Sequence, residues 1–311
     1  MQKFFLKTCV KQARKFVFLQ REVFMADMLI IGQGPAGVSA SLYALRAGLD
    51  VILVGKGAGA LEKAHMIENY YGLEKPLSGS ELFEVGKKQA ERLGANLVDD
   101  EVTDLFFDGN VFVATGLKGE YRSRACIMAT GSARKKTPLP KMAELEGHGV
   151  SYCAVCDAFF YRGKDVAVLG SGEYALHECN ELLNVVGSVT LLTNGAEPTA
   201  EFTDKVRIDK RKLAGLVGEG TFGGVKFDDG EELKLDGLFV ALGSASAMDL
   251  ARKAGAAFDG GSVVLDKDYM TTVPGLFAAG DCTGGTLQVA VAVGEGAIAG
   301  LAAIKYLREN R

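Results

Sequence analysis

The residues best suited to chemistry in this 311-residue chain are two cysteines separated by two residues, in the segment Cys153-Ala154-Val155-Cys156-Asp157. Thiol–disulfide exchange needs an attacking thiolate and a nearby second sulfur that resolves the mixed disulfide. This spacing supplies both sulfurs, and Asp157 supplies a carboxyl group that could act as the acid or base. We therefore interpret Cys153, Cys156 and Asp157 as the catalytic residues of a redox-active dithiol.

Two other interpretations of the cysteine pair remain open from the residues alone: half of a zinc site, or two inert buried thiols. A zinc site would need a second pair of ligands, and the chain has only three histidines and few other cysteines. We expect no metal. The remaining cysteines are Cys9, Cys126, Cys179 and Cys282. We expect the last three of these to be packing residues.

A glycine-rich turn follows the first apolar segment. Met28 to Ile31 form a short apolar run that leads into Gly32-Gln33-Gly34-Pro35-Ala36-Gly37, and apolar residues then recur at helical spacing. In such a strand–turn–helix unit the glycines allow the turn, the approach of a pyrophosphate and the packing of helix on strand. The next strand, Val51 to Val54, follows at the expected distance. The sequence therefore predicts a dinucleotide site.

A second unit repeats this plan. Val166 to Leu169 lead into Gly170-Ser171-Gly172, and a helical segment and the strand Val189 to Leu192 follow. The segment after that strand, Thr193 to Pro198, contains no arginine or lysine. A 2'-phosphate held without such a residue would lose its charge-assisted hydrogen bonds, so we expect NADPH to bind poorly here.

Other strand ends divide the chain into domains. Ala129-Thr130-Gly131 and Ala241-Leu242-Gly243 each close one nucleotide-binding unit, and Gly280-Asp281 places an acid where it could bond a cofactor ribitol hydroxyl. If Gly280-Asp281 completes the first site, the first domain is discontinuous. We expect an α/β protein with two Rossmann-like, three-layer ββα nucleotide-binding domains, the second inserted into the first. The predicted bounds are 1–25 for an N-terminal extension, 26–140 and 267–311 for the outer domain, and 141–266 for the inserted domain.

Composition limits the function classes. The chain is 48% hydrophobic, carries a formal net charge of −4 and has 40 glycines, which excludes disorder and gives no overall attraction to nucleic acid. Charged residues interrupt the first 24 residues, so they form no signal peptide; we interpret them as a leader, with a basic amphipathic helix as the alternative. Glu295 and glycines interrupt the apolar segment Val289 to Ile304, so we expect no membrane span. The cysteine usage predicts a reducing, cytoplasmic compartment.

Together these motifs resemble the low-molecular-weight thioredoxin reductase family over nearly all of residues 26–311. The resemblance is carried by the two turns at Gly32 and Gly280, the cysteine pair, and the segments Ile67-Glu68-Asn69-Tyr70 and Ala129-Thr130-Gly131, in family order. It implies FAD in the outer domain, a homodimer, and electron flow from flavin to the cysteine pair to thioredoxin. By family role, Cys156 lies against the isoalloxazine, Cys153 attacks the thioredoxin disulfide and Asp157 moves the proton.

The resemblance also implies a set of FAD contacts around the first nucleotide site. These are Gly32, Gly34, Pro35, Ala36, Gly55, Leu61, Asn69, Val102, Ala129, Thr130, Gly131, Gly280, Asp281, Gln288 and Val289.

Departures from the family pattern concern the electron donor. Thr193-Asn194-Gly195 stands where the family's NADPH domain has a His-Arg-Arg type cluster, and Leu287 stands where an arginine usually precedes the flavin-contacting glutamine. With Gly59-Ala60-Leu61-Glu62-Lys63-Ala64, this pattern is similar to the ferredoxin-dependent flavin thioredoxin reductases. The resemblance implies reduced ferredoxin as the donor.

Several alternatives stay open at this stage. One is an NADPH-dependent reductase that binds the phosphate through Lys205, Arg207 or Lys210, and another is a flavin redox sensor or scaffold without turnover. A docking surface for an acidic ferredoxin has one candidate, a basic cluster at Arg134, Lys135, Lys136 and Lys141. A solvated loop accounts for that cluster equally well.

Overall fold

The protein is described by a computed structural model over residues 22–131, 139–243, 245–259 and 262–310. Two mainly parallel sheets carry the two glycine turns, which confirms the predicted α/β class. Residues 1–21, including Cys9, lie outside the described residues, as do Arg134, Lys135 and Lys136 of the basic cluster.

A seven-stranded sheet carries the first glycine turn. Its mutually parallel strands are β1 (Glu22–Ile31), β2 (Val51–Gly55), β3 (Asn96–Asp99), β6 (Gly119–Met128) and β17 (Leu276–Ala278). Two further strands join by antiparallel pairing: β5 (Phe112–Gly116) pairs with β6, and β4 (Val102–Phe107) pairs with β5. The order is β3-β2-β1-β6; β5 pairs with the first half of β6 and β17 with its second half.

The first strand is longer than its apolar core. Residues 22–25 pair with residues 119–122 of β6, and Phe24 stacks on Tyr121 with 5.5 Å between ring centroids. The strand therefore runs across residue 25, the predicted end of the N-terminal extension. Sheet pairing to β6, rather than local hydrophobicity, holds residues 22–25 in this strand.

A second sheet is built wholly from residues between β6 and β17. Its parallel strands are β7 (Val150–Ser151), β8 (Asp165–Leu169), β9 (Ser188–Leu192), β10 (Val206–Asp209) and β14 (Gly237–Val240), in the order β10-β9-β8-β14-β7. Beside it lie an antiparallel sheet of β11 (Leu213–Val217), β12 (Gly224–Phe227) and β13 (Glu232–Lys234), and the pair β15 (Phe258–Asp259) and β16 (Ser262–Val263). This arrangement is the one expected of an inserted Rossmann-like unit.

The helices of the described residues cover both sheets. They are α1 (Pro35–Arg46), α2 (Gly79–Arg92), α3 (Ala154–Asp157), α4 (Glu173–Leu183), α5 (Ala247–Lys253) and α6 (Val289–Glu309). Short 3-10 turns cover Gly59–Lys63, Ala158–Tyr161 and Asp281–Thr283.

The last helix packs closely on the first. A Cβ at Gly296 would lie 2.1 Å from the Ala36 carbonyl oxygen, and one at Gly300 would lie 2.9 Å from that of Ala40, so only glycine allows this approach. Within the described part of the chain, α6 is long and apolar enough to cross a membrane, contrary to our expectation from the sequence. Its contacts with α1 and the burial of Glu295 are those of a helix packed on a core.

Candidate active site

The first glycine turn fits the requirements of a dinucleotide. Gly32 has a φ of +121°, and a Cβ there would lie 2.0 Å from the Ala129 carbonyl oxygen; a Cβ at Gly37 would lie 1.9 Å from the Gly32 carbonyl oxygen. Gly34 differs, because no atom lies within 4 Å of the position of its Cβ. It is the N-cap of α1, no side chain caps that helix, and Pro35 occupies its first turn. The turn therefore leaves an open space at a helix N-terminus, the environment that a pyrophosphate requires.

The ends of three adjacent strands meet at this turn. Ala129 N donates to Ile31 O at 2.7 Å, which joins the end of β6 to the end of β1. Ala279 N donates to Met128 O at 2.9 Å, which joins β17 to β6. The structure therefore brings the segments Ala129–Gly131 and Gly280–Asp281 to the edge that carries the turn. The predicted residues of the three segments form one cluster.

Further predicted contacts lie around the same edge. The Asn69 side-chain amide donates to Gln288 Oε1 at 3.0 Å, and Leu61 and Val289 belong to one small apolar cluster. A Cβ at Gly55 would lie 2.9 Å from Gln33 N, so Gly55 is packed directly against the turn.

Val102 lies buried in β4, two residues beyond Asp100, whose N–H donates to the Gly55 carbonyl at 3.2 Å. Its assignment as an FAD contact rests on the resemblance.

A buried glutamate supports the Gly280–Asp281 turn. Glu295 Oε2 accepts hydrogen bonds from Gly280 N at 2.8 Å and from Thr283 Oγ1 at 3.0 Å. Burial raises the pKa of the Asp281 carboxyl above its usual range. Sequence reasoning assigned no role to Glu295; the signal available was one acidic residue within the apolar segment Val289 to Ile304.

The cysteine pair forms a disulfide in the inserted domain, called the inner domain below. The S–S distance is 2.06 Å and the two Cα atoms are 5.3 Å apart. Cys153 is only 2% exposed and caps the short helix α3, whereas Cys156 is exposed. In this arrangement a protein disulfide could not reach Cys153 unless the loop or the domain moved.

Asp157 is held within the same loop. Ser151 Oγ donates to Asp157 Oδ2 at 2.6 Å and accepts from Cys153 N at 3.1 Å. Asp157 N donates to Cys153 O at 3.1 Å. The structure therefore brings the three predicted catalytic residues into one hydrogen-bonded turn, with Ser151 as a member that sequence reasoning missed.

Two side chains of α4 hold the backbone on either side of Cys153. Tyr174 OH donates to Tyr152 O at 3.3 Å, and Glu178 Oε2 accepts from Ala154 N at 2.6 Å. Tyr174 and Glu178 are four residues apart and so share one helix face. Glu178 also pairs with Lys253 Nζ at 2.8 Å, and both of these side chains are 1% exposed.

The second glycine turn has a different environment. Thr199 N donates to Ser171 O at 2.7 Å, so the segment after β9 folds beside this turn. Two of the three downstream basic candidates have partners: Arg207 donates to Thr190 Oγ1 at 3.0 Å, and Lys210 pairs with Glu197 at 2.5 Å. Thr193, the first residue after β9, is buried. Residues 193–198 include neither lysine nor arginine, but the side chain of Lys212 lies against Gly195, where a Cβ would be 2.9 Å from Lys212 Cγ.

Metal-binding chemistry finds no support in the described ranges. Within them, no cluster of three histidine, cysteine, aspartate or glutamate side chains could hold a metal ion.

Burial raises the pKa of the thiols of Cys179 and Cys282 to about 12, and that of Cys126 is also raised by burial. These three cysteines are free rather than disulfide-bonded.

Comparison with known proteins agrees with this site. Residues 26–296 match the pyridine nucleotide-disulphide oxidoreductase family. The chain is 34% identical to a thioredoxin reductase of Peptoclostridium acidaminophilum, over 91% of this chain and 98% of that protein. Among solved structures, it is similar to the atypical thioredoxin reductase TRi from Desulfovibrio vulgaris Hildenborough, with 42% identity, a TM-score of 0.84, and coverage of 91% and 98%. It is also similar to a ferredoxin-flavin thioredoxin reductase from Clostridium acetobutylicum, with 31% identity, a TM-score of 0.72, and coverage of 93% and 100%.

The chain belongs to the pyridine nucleotide-disulphide oxidoreductase family and, within it, to the thioredoxin reductases. Members of this group are FAD-binding flavoproteins, and the open space at Gly34, with the strand ends around it, fits that cofactor. The resemblance inferred from the sequence is therefore confirmed.

Proposed function

We propose that this protein reduces the disulfide of thioredoxin with electrons from reduced ferredoxin, passed through FAD and the Cys153–Cys156 pair. The proposed FAD contacts are the residues assigned from the resemblance, centred on Gly34 and Asp281. The proposed domains are residues 26–140 with 267–311 for FAD and residues 141–266 for the dithiol. When bound, FAD supplies the capacity to accept electrons singly and to pass them on as a pair.

The dithiol carries the protein-substrate half of the reaction. After two electrons and two protons have opened the disulfide, the Cys153 thiolate attacks one sulfur of the thioredoxin disulfide and a mixed disulfide forms. The Cys156 thiolate then attacks Cys153 Sγ, which releases reduced thioredoxin and restores the internal disulfide. Asp157, held by Ser151, takes up and returns the thiol proton.

The observation that carries the choice of donor is the environment of the second glycine turn. NADPH binding needs a cation for its 2'-phosphate, and residues 193–198 after β9 include neither lysine nor arginine. Lys210 pairs with Glu197 and Arg207 with Thr190, and Lys212, which lies against Gly195, lacks the bidentate fork of an arginine. A ferredoxin needs no nucleotide site. The similarity to a ferredoxin-flavin thioredoxin reductase supports the same assignment.

Anaerobic spectroscopy tests the donor directly. Purified flavoprotein is mixed with NADPH or with photoreduced ferredoxin, and the flavin absorbance band and the reduction of added thioredoxin are followed. We expect bleaching and turnover with ferredoxin only. A Cys153→Ser variant serves as the matched control, because its flavin should still be reduced while thioredoxin is not. Rapid turnover with micromolar NADPH would refute the assignment.

The NADPH-dependent alternative makes its own prediction in the same assay. If Arg207 bound the phosphate, Arg207→Ala would raise the KM for NADPH, whereas Lys118→Met, which removes a surface cation of the outer domain, would not. A redox sensor without turnover would reduce no thioredoxin with either donor, and Cys153→Ser would then have no turnover to abolish.

A docking surface for the protein substrate lies next to the dithiol. Phe159 and Phe160 are 69% and 70% exposed, and Val155 is 53% exposed. Exposed aromatic residues in a group are typical of protein contacts. We propose that these three residues contact thioredoxin.

The homodimer is proposed from an apolar stripe on the outer domain. Ile298 and Leu301 on α6 are 43% and 52% exposed, and Leu287, just before α6, and Tyr43 on α1 are 59% and 40% exposed. Such a stripe suits a second copy of the chain. Light scattering of Ile298→Lys/Leu301→Lys should give a monomer, and a wild-type protein that is already monomeric would contradict the proposal. We also propose a cytoplasmic location, in keeping with a ferredoxin donor.

A further inference from the structure

A buried lysine connects the redox loop to the other domain. Lys253, the last residue of α5, donates from Nζ to Glu178 Oε1 at 2.8 Å and to the Thr103 carbonyl at 3.0 Å. Glu178 in turn accepts from Ala154 N, beside Cys153. One ammonium group therefore joins the dithiol loop of the inner domain to strand β4 of the outer domain.

The outer-domain acceptor is prepared by an irregularity in β4. Val102 pairs with Gly116 and Asp104 with Thr115, so Thr103 is the extra residue of a β-bulge. A bulge leaves one residue out of the regular ladder of backbone hydrogen bonds. The Thr103 carbonyl is thereby available to Lys253, and α5 covers this edge of the sheet.

Electrostatic interactions, as well as packing, stabilise the position of Lys253. Lys253 lies in an acidic setting formed by Glu178, Glu181, Asp104 and Asp249, and its ammonium group is 5.4 Å from the centre of the Tyr174 ring. Burial raises the pKa of Glu178, and Lys253 opposes that rise. A buried carboxylate that loses its cation partner must become hydrated or move out of its buried position. The bond to Ala154 would be lost with that movement.

We propose that Lys253 is a positioning residue, which through Glu178 holds the dithiol loop with Cys153 buried and through Thr103 holds the two domains together. This inference rests on the proposed function only in that Cys153 must later become accessible to a protein disulfide. Breaking the contact would favour the accessible arrangement. Lys253 thus opposes premature exposure of the dithiol.

Hydrogen exchange of the purified flavoprotein tests the proposal without any electron donor. In Lys253→Met we expect exchange at residues 152–156 and at residues 102–105 to rise by about tenfold. Dithiothreitol should also reduce the Cys153–Cys156 disulfide of the flavoprotein about tenfold faster, because FAD is proposed to lie against Cys156 and local opening exposes the buried Cys153 sulfur. Lys118→Met removes an exposed ion pair from the outer domain and should change neither measurement.

The double variant Glu178→Gln/Lys253→Met separates charge from packing. It removes both charges of the buried Glu178–Lys253 pair, and the glutamine oxygen can still accept from Ala154. Exchange at residues 152–156 and the dithiothreitol rate should therefore return to within about twofold of wild type, while exchange at residues 102–105 stays raised because Thr103 has still lost its donor. A general loss of stability would move both segments together.

Two outcomes would overturn the proposal. One is Lys253→Met behaving like Lys118→Met, and the other is a double variant whose loop stays as open as that of the single variant. If Lys253→Met does not fold, Glu178→Gln alone should raise loop exchange by about threefold, and no change there would refute the positioning role. Because neither measurement uses ferredoxin or thioredoxin, failure of the ferredoxin assay would leave this result intact, and the reverse also holds.

Discussion

Replacement of Glu295 by leucine should weaken FAD binding while leaving the rest of the fold in place. Glu295 accepts from Gly280 N at 2.8 Å and from Thr283 Oγ1 at 3.0 Å, and so fixes the turn that presents Asp281. Gly280 is buried and Thr283 is half-buried. In Glu295→Leu the Thr283 hydroxyl can turn towards water, but the buried Gly280 N–H cannot.

The size of the effect follows from that one N–H group. A buried donor left without a partner costs about 1–3 kcal/mol. If the turn moves to satisfy it, the cost falls on the FAD contacts, which corresponds to a rise in Kd of about 5-fold to about 150-fold. Glu295→Gln keeps an acceptor for Gly280 and should raise the Kd by less than about fivefold.

Fluorescence titration of FAD into flavin-depleted protein measures these constants. Glu309→Leu, at the exposed end of the same helix, is the matched control and should bind FAD as wild type does. Thermal unfolding without FAD checks that the leucine variant is folded. A folded Glu295→Leu protein with unchanged FAD affinity would refute the role of Glu295 as the support of this turn.

Other predictions follow from the same contacts. Gly37→Ala should lose about 3 kcal/mol or more of stability, because its Cβ would lie 1.9 Å from a backbone oxygen. Gly34→Ala, with no atom within 4 Å of its Cβ, should fold normally but bind FAD about tenfold more weakly. Equal unfolding free energies and equal FAD affinities for the two variants would contradict this. Phe160→Ser should raise the KM for thioredoxin about tenfold with no change in unfolding temperature, and an unchanged KM would exclude that docking surface. Reduced protein in a Cys9→Ser background, treated with iodoacetamide at pH 8, should be labelled at Cys153 and Cys156 only. The thiols of Cys179 and Cys282, with a pKa of about 12, carry about 0.01% thiolate at that pH. Rapid labelling of a further cysteine, seen by peptide mass spectrometry, would contradict this prediction.

Local patterns predicted the parts of the site that depend on local chain geometry. The turns at Gly32 and Gly170, the strand ends at Ala129 and Gly280, and the cysteine pair each combine a short apolar run with glycine or cysteine at fixed spacing. Backbone sterics and strand–helix connection rules act over a few residues, so such motifs can be recognised without the fold. They gave the fold class and the edge of the sheet that carries the site.

The missed features depend on residues far apart in sequence. Lys253 and Glu178 are 75 residues apart, and Lys253 and Thr103 are 150 residues apart. The register shift that creates the bulge at Thr103 arises from pairing with β5 and leaves no local sign. The pairing of residues 22–25 likewise depends on β6, about a hundred residues later. Only the helical spacing of Tyr174 and Glu178 offered a hint that both side chains face one target.

The placement of β17 and α6 after the inner domain has a consequence for how the protein is made. The second sheet uses only residues 150–240 and can form as soon as that part of the chain has left the ribosome, because domains fold as contiguous units during synthesis. The first sheet must wait for its last strand, and the turn at Asp281 and the helix that supports it come later still. Flavin capture therefore has to await the turn at Asp281 and α6, and until these have been synthesised a finished dithiol module is attached to a domain that cannot yet hold its cofactor.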